Sequence, residues 1–197
     1  MANSCATDLN VQSYDRETIE NLYGLFTQLL NTKRTCTVNG EIRDGHPHWL
    51  GYVVTDILHK EVEEIPCRGT FSLTSEVTQR PNGAYSFSMF TETAWCATDK
   101  LFVELAKMYD LKILYLEIEP GCQIFYTNDY NGEVFPERYI LDSDIEGEEY
   151  FCTFDELAER IEEITGILPS EYEEIEQISE LYDGEFLSVN QIELQDW

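Results

Sequence analysis

Carboxylates are the side chains whose number and spacing can do chemistry in this chain. Asp and Glu total 39 against 12 Lys and Arg, a net charge of −27 over 197 residues. The excess is uneven: from Leu141 to Trp197 there are 19 acidic residues and one basic residue, Arg160, so this stretch carries −18 of the total. Helical spacing puts Glu173, Glu176 and Glu180 on one face with carboxylates about 5–6 Å apart. That pitch compares with a nucleic-acid backbone, where a duplex carries about one charge per 1.7 Å of axis. The candidate partner-binding residues are therefore Glu171, Glu173, Glu174, Glu176, Glu180, Asp183 and Glu185, followed by Asp142, Asp144, Glu146, Glu148 and Glu149. Such a surface can occupy a basic nucleic-acid channel, gaining from counterion release and steered encounter. The plainer reading is that these residues only solvate exposed helix faces. Against it, crowded like charge destabilises a fold by self-repulsion, so its concentration in one region asks for a use.

Other chemistries have less support. Asp142, Asp144, Glu146 and Gly147 match the opening of a calcium-binding EF-hand loop, but the bidentate glutamate such a loop needs at its end falls on Thr153. Asp44, His46 and His48 lack a further metal ligand at proper spacing, so no metal or cofactor is assigned. Glu117 and Glu119 share a strand face and can form a carboxylate pair, yet nothing beside them supplies a nucleophile or electrophile. Phosphate-binding and serine-hydrolase motifs are missing as well. The expectation is a non-enzyme. The six cysteines stand singly, with no C-x-x-C pair, and read as free, mostly buried thiols.

The elements that must position these residues follow from periodicity. Cys5 to Ser13 alternates as a strand. Asp15 caps a helix with Ile19, Leu22, Tyr23, Phe26, Leu29 and Leu30 at helical spacing. Lys33 to Pro47 reads as a loop, and Trp49 to Leu58 recovers helical spacing. Phe71–Thr78 and Ala84–Thr93 flank Pro81-Asn82-Gly83, a hairpin turn. Thr98 caps a helix through Tyr109. A second hairpin joins Leu111–Ile118 to Cys122–Thr127, and Tyr139–Leu141 adds a short strand. Thr153 with Glu156 forms a capping box opening one helix, and Ser170 with Glu173 repeats it before another that runs to Tyr182. The aromatic set Tyr85, Phe87, Phe90, Phe125 and Tyr126 reads as core, and Glu185 to Trp197 as a strand or extended arm.

Short strings carry a resemblance. Trp49-Leu50-Gly51, Cys67-Arg68-Gly69-Thr70, Thr91-Glu92-Thr93-Ala94-Trp95, Glu119-Pro120-Gly121 and Phe135-Pro136-Glu137-Arg138-Tyr139, with the start Met1-Ala2-Asn3, resemble the YubB-type ferredoxin-like proteins of plasmids, phages and gut bacteria. The group's usual Trp after Asn3 is Ser4 here. The resemblance spans about residues 1–165 and implies a ferredoxin-like core on mobile elements, but no established activity.

The expected fold is thus α+β: a ferredoxin-like antiparallel sheet with helices packed on one face over residues 1–166, plus an acidic C-terminal helical extension over 167–197. The expected function is inhibition of a host nucleic-acid-binding defence enzyme, in the manner of an anti-CRISPR or anti-restriction protein, through an acidic DNA-mimic surface. The expected partner is a basic protein surface, such as that of a CRISPR effector nuclease, with no direct nucleic acid and no membrane. A cytoplasmic location in a bacterial host is expected from the absence of an apolar span and of a basic, apolar leader. Two other readings remain open: a protein-binding or assembly module with no inhibitory role, and an enzyme using carboxylates or calcium.

Overall fold

The computed structural model describes residues 3–38, 41–184 and 187–197. The fold is α+β, and the chain divides into two compact units: residues 1–124 with Trp197, and residues 125–196. No helix among the described residues is long and apolar enough to cross a membrane.

The first unit is built on strand β1 (Ser4–Ser13), whose alternate residues Cys5, Thr7, Leu9 and Val11 are buried. Helix α1 (Arg16–Asn31) follows, with the Asp15 carboxylate accepting the Glu17 N–H at its start and Ile19, Leu22, Phe26 and Leu29 buried. The segment expected to be a loop contains a hairpin, β2 (Thr35–Val38) with β3 (Glu41–Asp44). Thr35-Cys36-Thr37-Val38 alternates over only four residues and Glu41–Asp44 carries one apolar residue, so the signal is too short to announce a hairpin. Trp49–Leu58 is helical as expected, but it forms a wide π-type turn over Val53–Ile57, with Leu58 N–H bonded to the Val53 carbonyl. Strands β4 (Gly69–Leu73), β5 (Thr78–Gln79) and β6 (Tyr85–Ala94) come next. The expected turn between β5 and β6 is present: Gly83 takes φ +88° and the Arg80 N–H bonds the Ala84 carbonyl at 2.8 Å. Helix α2 (Asp99–Tyr109) leads to β7 (Lys112–Glu119); Thr98 holds the N-cap position but makes no capping bond with its side chain.

The strands of this unit lie in the order β7-β1-β6-β4, antiparallel throughout, with β5 also on β6. Register places Leu9, Phe87, Phe71 and Tyr115 on one face. Phe26 of α1 meets Phe71 and Phe87 there at ring-centroid distances of 5.5 and 6.0 Å. Phe102 of α2 and Tyr115 of β7 stack on Trp197. Both helices therefore cover the same face. Phe90 departs from the expected core set: it pairs with Asp8 and Ser72, on the opposite and more polar face.

In the second unit β8 (Ile124–Thr127) pairs in parallel with the short β12 (Glu193–Leu194). Strands β9 (Tyr139–Ser143), β10 (Gly147–Phe151) and β11 (Leu187–Gln191) form an antiparallel sheet in the order β10-β9-β11. Helices α3 (Phe154–Thr165) and α4 (Ile175–Leu181) pack on it through Leu141, Leu157, Ile161, Ile175, Ile178 and Leu187. The Thr153–Glu156 capping box is formed as read from sequence. The second one is not: Ser170 bonds Glu174 instead of Glu173, and Tyr172–Glu174 is a 3₁₀ turn before a short α4. Residues 167–196 thus share a core with 139–165, and the boundary expected after residue 166 falls inside this unit.

Candidate functional site

The second unit holds 22 acidic residues and two basic ones, a net charge of −20, whereas the first carries −7. It has no lysine and no histidine. Both of its arginines are partly buried and engaged by groups of the same unit. Arg138 donates to the carbonyls of Asp129, Phe135 and Glu137 at 2.7–2.8 Å. Arg160 donates through Nε to both oxygens of Glu149 at 3.0 Å and through Nη1 to Glu163 at 2.8 Å, with Glu146 3.7 Å from Nη2. The positive charge of this unit is consumed in holding its own backbone and three of its carboxylates.

The expected binding residues are distributed by three local rules. On the helix layer, burial of Ile175 and Ile178 turns Glu173, Glu176 and Glu180 outward, with exposed Glu171 and Asp183 at the ends of the same segment. Glu174 is half-buried and held below its ordinary pKa, first by the Ser170 N–H and then by its hydroxyl. On the sheet, strand parity decides. Leu141 faces the core, so its cross-strand neighbour Glu149 faces it too and meets Arg160, while Asp142 and its neighbour Glu148 lie on the other face. Asp142 and Glu148 are directly opposed like charges, an arrangement that disfavours the pairing. At the β9–β10 turn, Asp144 accepts the Tyr182 hydroxyl at 3.0 Å, which ties the hairpin tip to the C-terminal end of α4. Glu146 sits in the same turn near Arg160. Glu185 lies outside the described residues. The fold therefore brings Asp144 and Glu146 to the end of the unit where Tyr182 lies, keeps Glu171, Glu173, Glu176 and Glu180 on the helix side, and sets Asp142 and Glu148 on the opposite side.

Alongside the outward carboxylates runs a groove that the sequence reading missed. It encloses about 490 Å³ between the 3₁₀ turn with α4 and strand β11, lined by Tyr172, Glu173, Ile175, Glu176, Leu187 and Val189. No local signal marks it, because its two walls are joined only by tertiary packing.

The alternative chemistries are placed as follows. Asp142–Gly147 is a β-hairpin with Gly147 at φ +76°, not a loop between two helices. The His46 and His48 rings meet edge to face at 5.7 Å, and His48 Nδ1 lies 3.0 Å from the Phe71 carbonyl. Among the described residues, no group of three or more His, Cys, Asp or Glu is arranged to hold a metal ion. Glu117 and Glu119 do share a strand face, and both are buried. Each is spent on structure: Glu117 accepts the Ala97 N–H at 2.8 Å and the Cys5 thiol at 3.3 Å, and Glu119 caps the turn at Pro120–Cys122. The Cys122 thiol, with the Gly121 and Cys122 N–H groups, holds the Glu119 carboxyl below its ordinary range.

The cysteines divide in a way a thiol reagent can read. Burial, with the adjacent Glu117 charge, pushes Cys5 up to about 12, and burial pushes Cys67 up to about 11. Cys96, Cys122 and Cys152 are exposed; their thiols are raised as well, by partial burial at Cys96 and Cys152 and by the bond to Glu119 at Cys122, so access to the reagent is what separates the two groups. The reactive species is the thiolate. Native protein treated with iodoacetamide at neutral pH is expected to leave Cys5 and Cys67 unmodified while Cys96, Cys122 and Cys152 react, as read by peptide mass mapping. Modification of Cys5 at the rate of Cys152 would contradict the packing around Glu117.

No protein-family model, no curated protein and no solved structure matches this chain.

Proposed function

We propose that this protein is a phage or mobile-element inhibitor that docks on a host nucleic-acid-binding defence enzyme, a CRISPR effector or a restriction nuclease, by presenting a polyanionic surface in place of DNA. The observation that carries this reading is the second unit's −20 charge with both arginines already engaged by its own carbonyls and carboxylates. A folded body of that kind offers a partner carboxylate, neutral polar and apolar surface, with both guanidinium groups already engaged within the unit. Scatter of the candidate carboxylates counts against the mimicry, and Asp142 and Glu148, which lie on the opposite side, are left out of the docking surface. The docking side is assigned to Glu171, Glu173, Glu176, Glu180 and Asp183, with the hairpin tip at Asp144 and Glu146. Glu149 serves inside the fold through Arg160. Buried Glu117 and Glu119 accept bonds from Ala97, Cys5, Gly121 and Cys122, which favours a structural role for this pair over catalysis.

We place the first unit among ferredoxin-like folds on the same footing. The chain order β1-α1-β4-β6-α2-β7 with the spatial order β7-β1-β6-β4 supports it, as does the packing of both helices on one face. The resemblance to YubB-type proteins agrees with that arrangement.

The test uses purified CRISPR effector and restriction nucleases in DNA-cleavage assays. The intact protein is expected to inhibit at least one of them stoichiometrically, and the variant E171Q/E173Q/E176Q/E180Q to inhibit about tenfold or more less well. Its affinity should fall by at least about tenfold between 50 and 200 mM salt, as counterion release demands. Inhibition indifferent to salt and to the four substitutions would overturn the mimicry and leave an apolar binding module.

A further inference from the structure

Strand β11 is an edge. In the order β10-β9-β11 it pairs with β9 on one side, and no described strand pairs with it on the other. The hydroxyl of Tyr172 donates to the Val189 carbonyl at 3.3 Å, from outside the sheet. In an antiparallel pair the N–H and C=O of one residue point the same way, and residues two apart share that direction. The Val189 N–H and the Leu187 carbonyl therefore also point outward, along the wall of the 490 Å³ groove. The opposite wall carries Ile175, an apolar floor, with Glu173 and Glu176 above it.

From this geometry we infer that the groove takes an extended basic segment of the partner protein as an added strand. The segment's backbone pairs with the outer edge of β11 at Leu187 and Val189. Lys or Arg side chains at the helix-facing positions lay their alkyl stems against Ile175 and Leu187 and bring their charges to Glu173 and Glu176, while the alternate side chains face the other side of the sheet. Added strands draw affinity from main-chain bonds and specificity from alternating side chains. Charge selects this occupant: the groove lies in a unit of net charge −20, so a second copy of this chain or an acidic segment meets like charge. The inference rests on the proposed basic partner, and adds to it the conformation of the bound segment and the side chains that read it.

The experiment is a fluorescence-anisotropy titration of the full chain with labelled acetyl-Lys-Val-Lys-Val-Lys-Val-amide near physiological salt. Controls are the same peptide with Glu for Lys, and two versions N-methylated at every valine or at every lysine. Binding is expected for the cationic peptide and not for the acidic one, with one of the two methylated peptides weakened about tenfold or more because its edge-facing amides are blocked. The variant E173Q/E176Q should weaken binding about tenfold, while E159Q/E162Q, on the exposed side of α3, should not. Protection of the Val189 amide from hydrogen exchange on binding locates the site. Equal binding of both methylated peptides, or failure of the cationic peptide to bind, overturns the added strand. Either result leaves nuclease inhibition to stand or fall on its own assay, so the two failures are distinguishable.

Discussion

Replacing Trp197 by alanine is expected to destabilise the first unit by about 2–3 kcal/mol and to lower its unfolding midpoint by about 8–15 °C. The Trp197 ring lies 4.0 Å from the Tyr115 ring at 7° and 5.3 Å from Phe102 at 22°. Both partners are essentially inaccessible to solvent. Removing a fully buried Trp costs about 3–5 kcal/mol, and Trp197 is only half-buried, which sets the lower range. Stacking adds about 0.5–1.5 kcal/mol beyond area alone. Near-UV circular dichroism during thermal unfolding measures the effect, because the stacked Tyr–Trp pair supplies a large signal. Trp197→Phe keeps a ring between Tyr115 and Phe102 and is expected to recover more than half of the loss. A midpoint shift below about 2 °C for Trp197→Ala would mean that the stack is not held in solution.

In the second unit the largest expected loss comes from Asp129→Ala, about 2–4 kcal/mol. Asp129 is 1% exposed, and its Oδ2 accepts the N–H groups of Val134 and Phe135 at 2.6 and 2.9 Å. Arg138 binds the Asp129 carbonyl and those of Phe135 and Glu137, so one carboxylate and one guanidinium organise the whole turn from 129 to 138. Alanine leaves two part-buried donors without that acceptor, each costing about 1–3 kcal/mol. Asn keeps one acceptor oxygen, so Asp129→Asn is expected to be milder. Denaturant unfolding gives the stability. Faster amide exchange at Val134 and Phe135, with that at Ile161 little changed under native conditions, separates local loosening from global unfolding. Unchanged exchange at Val134 would contradict the role assigned to the carboxylate.

Features whose physics is local were legible in the sequence. The Asp15 cap, the Thr153–Glu156 box and the Gly83 turn depend on neighbours within about four residues, and each formed as read. The periodic faces of α1, α2 and α3 were equally plain, since burial of one stripe is the main reason those helices form. Charge asymmetry needed only counting.

What depends on partners far along the chain was not legible. The β2–β3 hairpin, also missed, is local but short: Thr35–Val38 alternates over four residues and Glu41–Asp44 does not. Ser170 faced two glutamates at nearly equal spacing, and the 3₁₀ turn at Tyr172–Glu174 gave it Glu174. Glu149 and Glu148 are adjacent and chemically alike, yet register with Leu141 sends one to Arg160 and the other to solvent. The chain alone determined that this protein has a carboxylate-rich half, but the tertiary structure decided which carboxylates it spends on itself. Strand register and helix packing also placed the groove beside β11, because both bring together residues whose proximity no local interaction encodes.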